Sequence, residues 1–423
     1  MTLLGQAMVV TSIMPARDRG ARRGTPSFPD DPRSRRLEGR FDRAAARRSP
    51  PTSAGARPVS RPAPPRVHLG PSWSGPVERP TLALPPLDVA GALEATRTWT
   101  GPEHRVGGGA TLALWELLAT VAAADLAVAR ALEPVLDARS ILAQAGAGSA
   151  AARPALPGDL TPSSTWGVFA AEAPDVTLLA APSDADGAWH LTGTKPWCSL
   201  AAVLEGALVT AHLPDGERGL FAVDLRGPGV AVEAGGWVSR GLAEIPSTPV
   251  TFSGARAVAV GAPGWYLARP GFWWGGIGVA ACWYGGAVGL ARRLHEAARS
   301  APDPSTHRDR LAEALGTLDV RLAEARRTLR EGAEAVDHDA AGSPALAPGA
   351  GRLLAKRVRA GVAAVAEDAL RLTAHALGPA PLTREESHAK RVADLGVYLR
   401  QHHPVREAAS LGSALVAAEV DPW

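Results

Sequence analysis

The sequence predicts an α+β fold in which a helical domain, a small all-β domain and a four-helix region follow one another. Three observations support this. Apolar residues recur every three or four positions up to residue 146, short strand-like runs fill residues 166–261, and four long helical patterns occupy the rest. Because few large folds interrupt a helical protein with a compact barrel, the order of the parts is itself informative.

Residues 1–80 differ in composition from the rest of the chain. They hold 15 Arg, no Lys, 6 acids and 13 Pro, a net charge of +9, which leaves residues 81–423 at −6. Such a segment buries too little apolar surface to offset the entropy of ordering, so we expect a disordered tail over 1–80. A transit peptide and a start codon placed too far upstream are alternatives, whereas residues 1–14 make a poor signal peptide.

The first helical pattern spans residues 112–146. Leu114, Leu118 and Val121 belong to an apolar face with helical spacing. Since only this stretch of clear helix precedes the strand-like runs, we expect a truncated N-terminal helical domain over 81–160.

The middle of the chain changes to a strand pattern. Short apolar runs start near residues 176, 188, 207, 219 and 230, separated by Asp-Gly, Pro-Asp-Gly and Gly-Pro-Gly turns. Strands at this spacing are typical of a small sandwich or barrel. We therefore assign 161–262 to a small all-β domain.

The last part of the chain, residues 263–423, is again helical. The predicted helices lie near 272–300, 307–338, 349–377 and 387–417, and Gly- and Pro-containing stretches separate them. This pattern predicts a C-terminal region of four helices.

One segment of this region invites a different interpretation. Residues 271–290 carry no charge, and their length would allow a membrane span. However, seven of the twenty are glycines, each of which weakens a helix by about 1 kcal/mol relative to alanine. We expect a buried helix that neighbouring helices approach closely, and no membrane partner.

Charge and cysteine content exclude other classes of protein. The acidic body shows no clustered basic face or recognition motif, so we expect no nucleic-acid partner. The only two cysteines, Cys198 and Cys282, are far apart and fit no metal-ligand spacing. They suit the reducing cytoplasm, and we predict no metal site.

Four motifs, in order, resemble the acyl-CoA dehydrogenase family, in a divergent actinobacterial-type branch. They are LTGTKPWCS at residues 191–199, RPGFWWGGIGVAA at 269–281, HALGP at 375–379, and the pattern from Arg391 to Gly412. The similarity covers roughly residues 110–415. It implies an N-terminal helical domain over 81–160, a middle β-barrel domain over 161–262 and a C-terminal four-helix bundle over 263–423, with FAD between the last two.

The resemblance assigns cofactor contacts to several residues. Trp197 would lie against the isoalloxazine ring and Ser199 would bind near its N5, although a core tryptophan and a turn serine are the alternative. A second flavin segment, FAAEAPD from Phe169, is eroded and leaves Phe169 and Ala171 as contacts. His375 and Gly378 match the loop that reaches the FAD of a partner subunit.

The family's catalytic glutamate is missing. Dehydrogenation requires a base that removes the α-proton of the thioester while hydride leaves for the flavin. The usual position of this glutamate falls at His402, and the alternative helix has no acid between residues 271 and 293. Either His402 acts as base or substrate ligand, or the pair His402-His403 is a structural feature of a helix end.

The resemblance therefore implies a flavoenzyme of lipid metabolism that acts on CH–CH groups of an acyl thioester or a related small substrate. It would assemble as a homodimer or homotetramer, or as a hetero-oligomer with a related subunit. The alternative is an impaired subunit that keeps the fold and serves as a binding or scaffolding partner of an active relative.

Overall fold

Three α-helices precede the sheet in the computed structural model, which describes residues 63–71, 81–147, 156–183, 187–342, 346–347 and 349–418. They are α1 Val89–Thr96, α2 Thr111–Ala124 and α3 Leu126–Ala147. The predicted single helix 112–146 is thus two. Asp125 is extended between them, and its carboxylate accepts hydrogen bonds from the N–H groups of Ala127 and Val128 at 2.9 and 3.2 Å, so it starts α3 as an N-cap.

A short part of the predicted disordered tail is ordered and packed. Val67 and Leu69 are buried, and the Val67 N–H donates to the Thr120 hydroxyl of α2 at 2.9 Å. The disorder expected over 1–80 is therefore wrong for residues 63–71. The composition of a segment does not show that it packs against residues about 50 positions further along the chain. The rest of that prediction lies outside the described residues.

Seven strands form the middle part. They are β1 Trp166–Phe169, β2 Leu178–Pro182, β3 Trp189–Ser199, β4 Gly206–His212, β5 Arg218–Asp224, β6 Val230–Val232 and β7 Ser247–Ala259. Pairing runs β4–β2–β3–β7–β5 and returns from β5 to β4, which closes a barrel. The sequence pattern had not indicated β7, although it is the longest strand and pairs with β3, β5 and β6.

A buried cation, Lys195, lies among the apolar side chains of the barrel. Lys195 of β3 is 3% exposed and donates to the carbonyl and the hydroxyl of Thr210 at 2.8 and 2.9 Å. Burial lowers the pKa of Lys195 to about 8. Since β3 and β4 are not adjacent in the sheet, this side chain bridges two strands across the barrel.

The C-terminal part contains three long helices and several shorter ones. They are α4 Trp265–Ala268, α5 Gly271–Ser300, α6 Thr306–Ala340, α7 Ala350–Leu377, α8 Ala380–Arg384, α9 Glu386–Tyr398 and α10 Pro404–Val416. Along α5, glycine permits a close approach to α2: a Cβ at Gly285 would lie 2.3 Å from the Ala119 carbonyl oxygen. Among the described residues, no helix has the length and hydropathy required to cross a bilayer.

The last predicted helix, 387–417, is interrupted. After α9 a 3-10 turn covers Leu399–Gln401, and His402 and His403 are not helical before α10 begins at Pro404. Proline disfavours helical backbone in the residue before it, which places His403 at φ −103° and ψ 85°. The two histidines therefore lie in a bend that directly follows a helical end, and both interpretations of the pair stay predictions.

Candidate functional site

Trp197 lies at an irregularity of the barrel. The β3–β7 register shifts between Lys195 and Cys198, and Trp197 adopts φ 59° with 40% of its surface exposed. A bulky residue in the left-handed region is rare and costs about 1–3 kcal/mol. Cys198 beside it is buried. The bulge thus turns an indole outward between two inward-facing residues, at the end of β3.

Ser199 connects this end of the barrel to the helices. Its hydroxyl lies 2.7 Å from the hydroxyl of Ser247, which also lies 3.1 Å from the Ile245 carbonyl. Arg130 of α3 donates to the Ser199 oxygen through Nη2 at 3.0 Å. Ser199 therefore links the strained end of β3 to Arg130, a cation of the helical part.

Charged residues follow one another along a single face of α3. Arg130, Glu133 and Asp137 are spaced three and four positions apart, which defines the charged stripe of α3. Arg130 pairs with Glu133 at 3.5 Å, and Asp137 with Arg269 at 3.7 Å. Their carboxylates are largely enclosed, and only 12% and 16% of the two acidic side chains remain exposed.

Burial sets the ionisation of the charged stripe. It raises the pKa of Glu133 to about 7, against the opposing charge of Arg130, and it also raises the pKa of Asp137. A carboxyl with a pKa near neutrality can hold or release a proton under physiological conditions, which is common at functional sites. Sequence reasoning missed this stripe, although three charges at helical spacing on an otherwise apolar helix were a visible signal.

Next to the charged stripe lies a second set of largely enclosed side chains, most of which belong to later parts of the chain. We call it the arginine–aromatic cluster, and it consists of Arg130, Trp283, Arg359, Tyr398 and His402. The guanidinium carbon of Arg130 lies 5.8 Å from the Tyr398 ring centroid, and that of Arg359 lies 4.9 Å from the Trp283 ring. Trp283 meets Tyr398 and His402 edge-on, with centroids 6.3 and 6.0 Å apart.

Three members of the cluster have a buried polar atom for which the described structure shows neither a hydrogen bond nor an ion pair. These atoms are Trp283 Nε1, Arg359 Nε and His402 Nδ1, whereas Arg130 Nη1 lies 3.5 Å from the Glu133 carboxylate and the Tyr398 hydroxyl interacts with Cys282. Buried polar groups are nearly always hydrogen-bonded, and leaving one unpaired costs about 1–3 kcal/mol. Three such atoms in one contiguous cluster are an unusual concentration of unpaired polar groups.

His402, the residue at the predicted base position, belongs to this cluster. It is 8% exposed, and burial together with the nearby charge of Arg359 lowers its pKa below 6.5. The imidazole is therefore neutral at pH 7, with an unpaired nitrogen that can accept a proton. Ser199 and His402 are thus joined through Arg130, Tyr398 and Trp283, which the sequence alone could not show.

The other predicted cofactor residues lie apart from the cluster. Phe169 is buried in β1, Ala171 follows that strand, and His375 is exposed near the end of α7, where Gly378 adopts φ 67°. Within the described residues, no hydrogen bond or ion pair joins these four to the cluster. Their roles stay predictions.

The acid of the eroded flavin motif is engaged within the barrel. Glu172 pairs with the Arg218 guanidinium of β5, and its carboxylate also lies 3.1 Å from Nε2 of His212 in β4. Both partners project from the barrel strands. In the part of the chain that the structure describes, no group of three or more acidic, histidine or cysteine side chains is arranged to hold a metal ion.

Comparison with known proteins places this geometry in a known fold. No family model and no curated protein sequence matches the chain. Among solved structures, KijD3 in complex with FMN and an amino-deoxy-keto sugar linked to dTDP is 20% identical, with a TM-score of 0.63 over 79% of this chain and 93% of that chain. Butyryl-CoA dehydrogenase from Megasphaera elsdenii is 16% identical, with a TM-score of 0.63 over 78% and 90%.

A third neighbour catalyses a different reaction. FMN-bound TdsC from Paenibacillus sp. A11-2, a dibenzothiophene monooxygenase, is 18% identical, with a TM-score of 0.60 over 80% of this chain and 92% of that chain. The three matches span nearly the full length of each neighbour, and their similarity includes the helices, the barrel and the C-terminal bundle. The chain therefore has the fold of the acyl-CoA dehydrogenases.

Proposed function

We propose that this chain is a flavin-dependent oxidoreductase acting on a small substrate that binds at the arginine–aromatic cluster. The observation that supports this most is the continuous set of contacts from Ser199 at the barrel end, through Arg130 and Tyr398, to His402. It joins the predicted flavin-contacting serine to the predicted base, although 203 positions separate them in the sequence. Two of the structural neighbours hold FMN.

The residues at the end of β3 fit a planar aromatic cofactor. Trp197 offers a partly exposed indole, held outward at the expense of backbone strain, and stacking between aromatic rings is favourable. Ser199 supplies a hydroxyl beside it. We propose FAD, as the family resemblance implies, with Phe169 and Ala171 as further contacts and with His375 and Gly378 reaching the cofactor of a partner subunit in a homo-oligomer.

The chemistry then divides between cofactor and protein. A bound flavin supplies two-electron redox chemistry. His402 would accept the proton that leaves the substrate, because its neutral imidazole has an unpaired nitrogen. Arg130 would orient Ser199 and balance the charge of Glu133 beside it. We propose an acyl thioester or a related small molecule as substrate, and a cytoplasmic location.

A visible absorption spectrum of the purified protein tests the proposal. We expect flavin bands, and release of the cofactor followed by chromatography will distinguish FAD from FMN. Trp197→Ala should lower flavin occupancy and relieve quenching of its fluorescence, while Trp237→Ala, on a separate loop of the barrel, serves as control. A protein that is colourless and takes up neither flavin would exclude the proposal.

A catalytically impaired subunit is the second candidate, because no carboxylate occupies the family's base position. Anaerobic mixing of the flavin form with a panel of acyl-CoAs separates the two. Bleaching that depends on His402 supports the enzyme, whereas bound flavin that no substrate bleaches, together with association with a related active subunit, supports the scaffold.

A further inference from the structure

Arg359 of α7 is a buried cation without a paired acid in the described structure. It is 6% exposed, and its Nη1 donates to the Gly276 carbonyl at 2.6 Å. Glu407, the acid whose charge acts on it most strongly, is ion-paired with Lys356 at 3.3 Å. Removing a charge from water without a matching counter-charge is costly, and the ring of Trp283 offsets this only in part.

The polar atoms around Arg359 are mostly donors. Arginine nitrogens and the indole N–H can only donate, and a phenol hydroxyl donates readily. Of the three unpaired atoms in the cluster, those of Arg359 and Trp283 are therefore obligate donors. A surplus of donors favours a ligand rich in acceptor oxygens. A saturated acyl chain would leave all of them unpaired.

We infer that the arginine–aromatic cluster binds an anionic oxygen group of the substrate, a carboxylate or a phosphate, through Arg359 and Trp283. The inference rests on the proposed function, since it takes the cluster as the substrate site. The guanidinium fork of arginine matches both groups, and its hydrogen bonds to an anion are stronger than those between neutral partners. The end of the substrate that reaches the arginine–aromatic cluster is accordingly charged, unlike the tail of a straight-chain fatty acyl group.

Thermal unfolding of the full chain, as purified, tests this with three probes at equal ionic strength: propionate, propionamide and inorganic phosphate. A ligand that binds only the folded state raises the melting temperature in a saturable way. We expect a rise of roughly a few degrees with propionate or phosphate and none with the neutral amide. The anion that saturates at the lower concentration identifies which of the two groups the site takes.

Variants then assign the response to Arg359. Arg359→Met should abolish the anion-dependent rise and leave the melting temperature without anion unchanged or higher, because an unpaired buried charge is removed. Arg371→Met is the matched control, since Arg371 is an exposed arginine of the same helix that pairs with Asp368 at 2.9 Å. It should retain the full response.

If Arg359→Met does not fold, Arg359→Lys serves as the second variant. Lysine keeps the positive charge but lacks the planar guanidinium fork, so the apparent affinity for the anion should fall by about tenfold or more. The inference is overturned by an equal response to the amide, by the absence of a saturable response in the parent protein, or by a response that survives substitution of Arg359. These outcomes are independent of the flavin spectrum. A yellow protein without the anion response would contradict this inference alone, and a colourless protein with it would contradict only the proposed function.

Discussion

The two faces of α5 serve different purposes. On one face glycines let α2 approach: a Cβ at Gly285 would lie 2.3 Å from the Ala119 carbonyl oxygen, and one at Gly289 2.9 Å from that of Ala123. On another face Trp283 packs under Arg359 with its indole N–H unpaired. The first face is closely packed, whereas the second keeps unpaired polar atoms at a cost in free energy. Substitutions on the first should change stability, and those on the second should change binding and catalysis.

The largest expected effect comes from His402, which contacts Trp283 on the second face. His402→Ala should reduce substrate-dependent flavin reduction by about a hundredfold to ten-thousandfold, the usual contribution of a positioned base. Rapid-mixing absorbance measures it. Because the pKa of His402 is lowered, the rate in the parent protein should fall only as pH decreases below about 6.5.

His403→Ala is the matched control, since His403 is the adjacent histidine and lies outside the cluster. It should retain the rate and the pH profile. Equal loss in both variants would show that the bend, rather than the His402 imidazole, matters.

Glu133→Gln should change how stability depends on pH. The pKa of Glu133 is about 7 in the folded state, above its ordinary value of 4.5. Below about pH 4 the group is protonated in both states and costs nothing. As pH rises through the interval between these values, the folded state loses stability, on the order of 3 kcal/mol above neutrality.

The glutamine variant should therefore equal the parent protein near pH 4 and exceed it near pH 8, as measured by urea unfolding at both pH values. Glu313→Gln, at an exposed site on α6, should show no such difference. A Glu133→Gln variant that is less stable near pH 8 would mean that the ion pair with Arg130 outweighs the penalty of burial.

The smallest of the three expected effects comes from a substitution on the face of α5 that packs against α2. Gly285→Ala forces α2 and α5 apart and should lower the free energy of unfolding by about 1–3 kcal/mol, because both the Ala119 backbone and the Ala122 side chain are too close. Gly316→Ala on α6 has nothing within 4 Å of the added Cβ and should stabilise by up to about 1 kcal/mol. Denaturant titration that gives both variants the same sign would contradict the close packing.

Local sequence signals predicted the elements well where one residue or a short spacing decides the backbone. The long helices α5, α6 and α7 lie within a few residues of their predicted bounds, since glycine, proline and apolar periodicity act locally. The breaks at Asp125 and Pro404 were missed, although an N-capping aspartate and a proline are themselves local signals. Strand β7 was also missed, although Thr248, Val250 and Phe252 alternate with less buried residues at the spacing of a strand.

The candidate site divides in a similar way. A motif resemblance was enough to single out Trp197, Ser199 and His402, because a motif is recognised from residues that are close together in the sequence. Arg130, Glu133 and Arg359 were not singled out, since a charged residue in an amphipathic helix is normally solvated. Their burial depends on which helices cover them.

The order of helices, barrel and bundle was determined by the sequence alone, because the period of apolar residues follows directly from the geometry of each element. The tertiary structure decided which charges are removed from water. Whether Arg359 is a surface cation or a buried one with unpaired donors depends on the packing of α5, α7 and the bend at His402. Such energies arise from contacts between residues far apart in the chain, and no local pattern encodes them.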